Sequence, residues 1–75
     1  MSNKTVIRCD CVFFYAEDVA NVNLMAKGVG VNNHQGQLIF WHPETNKDQA
    51  KKVANALTDA VLGKKAIDWD SLIQK

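Results

Sequence analysis

Four large apolar residues in a row, LIFW at 38–41, constrain the fold of this chain more than any other feature. A His-Pro pair follows them, and proline cannot donate to a strand ladder and holds its predecessor in an extended conformation. The run therefore predicts a strand that ends at the proline. Because successive side chains of a strand point to opposite faces, Ile39 and Trp41 are expected on one face. Leu38 and Phe40 are expected on the other, so both faces of the sheet need cover.

Residues 5–15 alternate in the manner of another strand. One of its faces is apolar or amphipathic throughout and is formed by Ile7, Cys9, Cys11, Phe13 and Tyr15. The opposite face begins charged, with Arg8 and Asp10. It ends apolar, with Val12 and Phe14, so the far end of this strand also needs cover on both sides.

Cys9 and Cys11 are the part of the chain that most resembles a chemical motif. On one extended strand their α-carbons would lie about 6.5 to 7 Å apart, too far for a disulfide or a shared zinc ion. His34 and His42 are spaced more widely than zinc-binding histidines, and no hydrolase, zinc-protease or phosphate-loop motif is present. The sequence therefore predicts two buried thiols, an exposed turn at His34 and a strand end at His42. No metal, cofactor or enzymatic activity is expected.

Residues 16–27 fit two kinds of structure. The acidic pair Glu17 and Asp18, followed at the far end by a Lys-Gly pair, suits a short helix. The valines that follow instead extend a strand-like pattern up to a turn cluster, NNHQG at 32–36. A strand over Val22–Val31 is the favoured prediction. The turn then joins it to the apolar strand at LIFW, which completes a three-stranded antiparallel meander.

The main helix is the best-marked element of the chain. Its N-cap is either Thr45, with Asp48 as the partner, or Asn46. If Asn46 is the N-cap, its partner is Gln49. With either cap, Gly63 is predicted to end the helix. The buried stripe follows helical spacing and consists of Ala50, Val53, Ala54, Leu57 and Val61.

The last residues resemble a second, shorter capped helix. Asp68 is a suitable N-cap, and Trp69, Leu72 and Ile73 then share one apolar face. A strand over residues 66–69 is the alternative.

These elements predict one small α+β domain over residues 1–75, with a three-stranded antiparallel meander, one main helix in the C-terminal half and a short terminal helical turn. One helix covers only one face of such a sheet, and so small a core leaves a thin margin of stability. A second copy of the chain, or another protein, is therefore expected on the second face. The candidate interface residues are Val12, Phe14, Ile39 and Trp41.

Composition and charge narrow the expected function. The net charge of +1 is too small for the general attraction to phosphate that most nucleic-acid binders show, which argues against a nucleic-acid partner. A homodimeric protein-interaction domain is the main expectation. A module that binds single-stranded nucleic acid or a small ligand on the same aromatic face is the alternative. Without a signal-peptide pattern or a membrane-length apolar run, the chain is expected to be cytoplasmic and not membrane-bound.

Overall fold

The computed structural model describes residues 5–9 and 11–73. Its elements, in chain order, are β1 (Val6–Cys9), β2 (Val12–Tyr15), a 3-10 turn (Ala16–Asp18), β3 (Val19–Met25), β4 (Gly28–Asn33), β5 (Leu38–Pro43), α1 (Lys47–Val61) and α2 (Trp69–Leu72). Strands β3, β4 and β5 form an antiparallel meander on which α1 packs, with α2 as a short terminal helix. The predicted fold class is confirmed. The bounds of two predicted strands are not, and both differences change which side chains reach the surface.

The first difference is that residues 5–15 form a hairpin and not one strand. The chain reverses between Cys9 and Val12, so that Ile7 lies opposite Phe14 and Arg8 lies opposite Phe13. In a hairpin with this register, odd-numbered residues of β1 share a face with even-numbered residues of β2. The hairpin can therefore bury Ile7 and Cys9 together with Phe14, whereas one strand packed on one face would bury Ile7 and Cys9 together with Phe13.

Burial within the hairpin follows this exchange of faces. Ile7, Cys9 and Phe14 are in the core, and the Phe14 ring lies 5.7 Å from the Phe40 ring, centroid to centroid. Phe13 is 61% exposed. Cys11 is also exposed, so the prediction of a second buried thiol is wrong. Asp10, which was assigned to the face of Val12 and Phe14, lies outside the described residues.

The second difference is that the predicted strand over Val22–Val31 is two strands. Strands β3 and β4 meet at a tight turn formed by Ala26 and Lys27. The helical alternative holds only for the single 3-10 turn at Ala16–Asp18, and the residues after it are extended. The loop before β5 is close to the predicted turn, and Asn33 Oδ1 organises it by accepting hydrogen bonds from the backbone N–H groups of Gln35 (3.0 Å) and Gln37 (2.8 Å).

Strand β5 ends at the predicted proline but contains a β-bulge. Val31 lies opposite Phe40, and Asn32 lies opposite Leu38, so Ile39 has no partner on β4. A bulge inserts one residue and reverses the alternation beyond it. Leu38 therefore lies on the same face as Trp41, and the expectation that they face opposite sides is wrong.

Both helices begin at predicted caps. Asn46 caps α1 by accepting a hydrogen bond from the N–H of Gln49 (3.0 Å), which selects the second of the two predicted caps. Gly63, just past the end of α1, has a φ of 74°, a left-handed conformation that glycine adopts readily. Asp68 caps α2, so the alternative strand over residues 66–69 does not form.

One face of the three-stranded sheet is covered by the helices and the hairpin. Helix α1 places Ala50, Val53, Leu57 and Ala60 in the core, which also contains Val29, Val31 and Phe40 of the sheet. Trp69 of α2 adds edge contacts to the rings of Phe40 (5.7 Å) and His42 (5.2 Å). This face is called the inner face below. None of the described helices is long and apolar enough to cross a membrane.

Candidate interaction surfaces

The outer face of the meander, opposite α1, carries an exposed apolar surface. Its residues, placed by strand register, are Asn21, Asn23 and Met25 of β3, Gly28, Gly30 and Asn32 of β4, and Leu38, Trp41 and Pro43 of β5. Three of them are large and apolar, and these are 38% (Trp41), 57% (Leu38) and 51% (Met25) exposed. None of these residues is charged. The outer face is thus an apolar patch bordered by amides.

Two glycines of β4 form the floor under Trp41. A β-carbon added to Gly28 would lie 2.9 Å from Trp41 Cζ2, and one added to Gly30 would lie 3.4 Å from Trp41 Cε3. The β-carbon at Gly30 would also lie 3.1 Å from Leu38 Cδ1. The two large side chains therefore converge above Gly30, in space that a side chain from β4 would otherwise occupy. Because these two residues have no side chain, the indole of Trp41 can lie directly against the sheet.

The structure separates the four predicted interface residues. Trp41 is on the outer face, whereas Phe14 is a core residue that is only 7% exposed. Val12 is exposed on the hairpin, opposite Cys9. Ile39, at the bulge, is half-buried and packs against the core. Only Trp41 belongs to the outer face as the structure defines it.

Two residues of this patch, Leu38 and Met25, were not among the candidates. Leu38 was assigned to the wrong face because the bulge at Ile39 cannot be read from alternation. A usable signal was nevertheless present in the sequence. Gly28 and Gly30 are two residues apart, so on a strand both lie on the same face and leave it without side chains. A large side chain from the neighbouring strand can then occupy that space.

A second surface is a groove between the hairpin and the loop before β5. Its apolar wall includes Phe13, Tyr15 and Ile39, and its volume is about 370 Å³. The Phe13 and Tyr15 rings meet edge to face, with centroids 6.2 Å apart. His34, on the polar side, is exposed as predicted, and its Nε2 lies 2.9 Å from the backbone oxygen of Glu17. The groove is open to solvent, and its polar side also includes Asp18 and Gln35.

The titratable groups do not converge on one site. Burial raises the pKa of the Cys9 thiol to about 12, which keeps it protonated and unreactive at neutral pH. Both Cys9 and Cys11 are free thiols. The buried Nε2 of His42 lies 3.8 Å from Glu44 Oε1 and makes no hydrogen bond to any residue that the structure describes. Within residues 5–9 and 11–73, no group of three or more His, Cys, Asp and Glu side chains could hold a metal ion.

Comparisons with known proteins add no relative: no family model, no curated protein and no solved structure matches this chain. The outer face and the groove are therefore the features from which a function can be inferred.

Proposed function

We propose that this protein is a non-enzymatic protein-interaction domain that self-associates through the outer face of its sheet. The observation that carries the proposal is the pair Trp41 and Leu38, which converge above Gly30 and remain exposed. Sheets in small domains bury their apolar faces, and an exposed apolar patch of this kind usually marks an interaction site. Self-association would remove that patch from water and add to the stability of a small core.

The occupant we propose is a second copy of the same chain, related by a two-fold axis. Such an axis places a patch against itself, so any charge on the patch would meet its own like. The outer face has no charged side chain, and this makes it compatible with itself. At its border Asn23 Nδ2 donates a hydrogen bond to Asn21 Oδ1 (2.9 Å), and the Asn23 Oδ1 acceptor and the Asn21 Nδ2 donor can pair with the amides of another copy.

We also propose that the protein acts in the cytoplasm. Cys9 and Cys11 are both free, and the exposed thiol of Cys11 would persist in a reducing compartment.

Binding of single-stranded nucleic acid or of a small ligand is the weaker candidate. The exposed indole of Trp41 could stack on a base or another flat ring. However, the outer face offers no lysine or arginine to contact a phosphate, and phosphate contacts supply most of the affinity of such binders.

Sedimentation equilibrium over a wide concentration range tests the main proposal. Trp41→Lys puts a charge in the centre of the patch, and Leu62→Lys is the matched control because Leu62 is 62% exposed outside the sheet. Burying the exposed 38% of a side chain of about 250 Å² is worth about 2 kcal/mol per copy, or about 4 kcal/mol per pair. This energy corresponds to about a thousandfold change in the dissociation constant.

At a concentration where the wild type is fully associated, we expect Trp41→Lys to show half its mass or less and Leu62→Lys to match it. Circular dichroism checks that both variants are folded. A wild type that stays monomeric at millimolar concentration, or a Trp41→Lys protein that associates normally, would contradict the proposal. Binding of a labelled oligothymidine to the protein tests the alternative. Binding that weakens with added salt and is lost in Trp41→Lys would favour a nucleic-acid-binding function.

A further inference from the structure

Strand β3 forms a free edge of the three-stranded sheet. The backbone N–H of Glu44 donates to the carbonyl of Lys27 (2.9 Å), which makes Gly28 and Pro43 a non-hydrogen-bonded pair between β4 and β5. Along a strand, the backbone groups of successive residues point alternately to its two sides. The groups of Gly28 and Gly30 do not point to β5, so they point to β3 and bond to Met25 and Asn23. On β3 itself, the backbone groups of Val22 and Leu24 are left pointing away from β4.

These outward groups have no hydrogen-bond partner among residues 5–9 and 11–73 outside the sheet. The two edges of the meander differ in how they are protected. The edge at β5 contains the bulge at Ile39 and ends in Pro43, which has no N–H to offer. Strand β3 is seven residues long, VANVNLM, without a charge or a proline. Its one irregularity is at Ala20, and residues 21–25 pair regularly with β4. Natural edge strands that do not pair usually carry such protection.

We propose that β3 pairs with β3 of a second copy, antiparallel around a two-fold axis at Asn23, and joins two meanders into a six-stranded sheet. That the occupant is a second copy rests on the proposed function, but the surface is a different one. The backbone groups that point outward from one β3 must form hydrogen bonds with those that point outward from the other β3. Val22 of one copy therefore lies opposite Leu24 of the other. This register uses only the regular part of the strand and forms four backbone hydrogen bonds. Asn23 then lies opposite Asn23 of the second copy.

The charges at the two ends of β3 complement each other in this arrangement. Antiparallel pairing brings Lys27, just after β3, to the end at which Glu17 and Asp18 precede β3 of the second copy. The same contact occurs twice because of the two-fold axis. The pairing segment between these ends is uncharged, so no like charges face each other along the two paired strands.

An apolar groove lies where the inner-face side chains of the second β3 would arrive. It has a volume of about 260 Å³ and runs between Leu24 and helix α1. Ala50 lines the groove, together with Lys47 and Lys51. The carbon stems of these lysines can cover apolar side chains while their ammonium groups stay in water. Val22 of the second copy, opposite Leu24, would be placed at the mouth of this groove.

Edge pairing and outer-face packing use different surfaces, so both can operate in one assembly. Two chains joined at β3 present two outer faces side by side, and a second such pair can pack against them. We therefore expect wild-type assemblies to reach about four times the 8.4 kDa mass of one chain.

Disulfide trapping tests the register. In a non-hydrogen-bonded antiparallel pair the facing α-carbons are about 4.5 Å apart, within the range that a disulfide spans. Asn23→Cys is made in a background that carries Cys11→Ser, which removes the exposed thiol, and Trp41→Lys, which removes outer-face association. In this background it is expected to form a disulfide between two copies under mild oxidation. Asn21→Cys is the matched control on the same face, because the two copies of residue 21 would be about 14 Å apart. Failure of Asn23→Cys to cross-link more than Asn21→Cys, in chains that still associate, would overturn the proposed pairing.

Leu24→Pro separates this proposal from the outer-face proposal. The N–H of Leu24 points outward, so proline removes a bond to the second copy and none to β4. We expect Leu24→Pro and Trp41→Lys each to halve the assembly mass measured by sedimentation, and the double variant to be monomeric. If Leu24→Pro leaves the mass unchanged, the edge pairing is wrong while outer-face association stands. If only Leu24→Pro lowers the mass, the outer-face proposal is wrong and the edge pairing stands. Circular dichroism confirms that each variant is folded.

Discussion

Phe13 and Phe14 are adjacent in the chain, yet the hairpin gives them opposite environments. Phe14 is 7% exposed against Phe40, whereas Phe13 is 61% exposed. Burying nearly all of a ring of about 200 Å² is worth about 4 kcal/mol, in line with the loss of about 3 to 5 kcal/mol usual for a core Phe→Ala change. For Phe13 the same area argument allows at most about 2 kcal/mol, and no cavity remains after truncation. Phe14→Ala should therefore be at least about 2 kcal/mol more destabilising than Phe13→Ala.

Urea unfolding followed by circular dichroism measures this difference. Because a loss of about 4 kcal/mol is a large part of the total stability of a small domain, Phe14→Ala is expected to be partly or wholly unfolded. Phe14→Leu keeps the experiment quantitative, with an expected loss of about 1 kcal/mol, or about 4 to 8 °C in Tm. Phe13→Leu should change Tm by less than half of that. Equal losses at the two positions, or a larger loss at Phe13, would refute the hairpin register and restore a single strand over residues 5–15.

Two further predictions concern a buried thiol and a helix cap. Since the pKa of folded Cys9 is raised from 9.0 to about 12, the folded protein holds this proton more tightly than the unfolded chain. The stability that results from this tighter binding is fully present below about pH 9 and falls as the pH rises toward 12. In urea unfolding, the wild type should therefore lose stability relative to Cys9→Ala over that pH range. A difference in unfolding free energy between the two proteins that does not change with pH would contradict this. At pH 8 a thiol reagent should modify one cysteine per native chain, Cys11, and two in denaturant. Because Asn46 is the N-cap of α1, Asn46→Ala should lower the free energy of unfolding by about 1 kcal/mol and Thr45→Ala by less than about 0.5 kcal/mol. If thermal melts show the larger loss for Thr45→Ala, the cap is Thr45.

Local signals were sufficient for the parts of the fold that depend on a few neighbouring residues. The end of β5 at Pro43 follows from the missing N–H of proline, and the caps Asn46 and Asp68 follow from short polar side chains before apolar periodicity. Gly63 ends α1 for an equally local reason. Each of these features involves atoms within about one helical turn of each other, so the order of residues is enough to predict them.

Face assignments were less predictable because they depend on every residue between two points. One reversal after Cys9 moved Phe14 from the predicted surface into the core and Phe13 out of it. One unpaired residue, Ile39, moved Leu38 to the face of Trp41. The residues that follow each change of face, Val12–Tyr15 and Ile39–Trp41, are apolar or aromatic on both sides of the strand, so alternation has no charged residue there by which to detect the change. The reversal is settled by tertiary packing, which places Ile7, Cys9 and Phe14 in one core and the Phe14 ring beside the Phe40 ring.

The bare central strand explains why the outer face carries Trp41 and Leu38 over its β5 side, with Met25 and the amides of Asn21 and Asn23 on its β3 side. Gly28 and Gly30 leave the central strand bare, and Trp41 and Leu38 of β5 extend over that bare strand toward β3. They do not cover β3, whose outer side chains are Asn21, Asn23 and Met25. Edge pairing at β3 would put the two amide borders next to each other and leave the two tryptophans on opposite flanks of one sheet. A Gly30→Val change would displace both Trp41 and Leu38; its side chain would lie beside Asn23, the partner of Gly30 on β3, but would leave the outward backbone groups of Val22 and Leu24 unchanged. We therefore expect it to weaken outer-face association while the Asn23→Cys cross-link still forms. Loss of both in a folded Gly30→Val protein would show that the two surfaces are not independent.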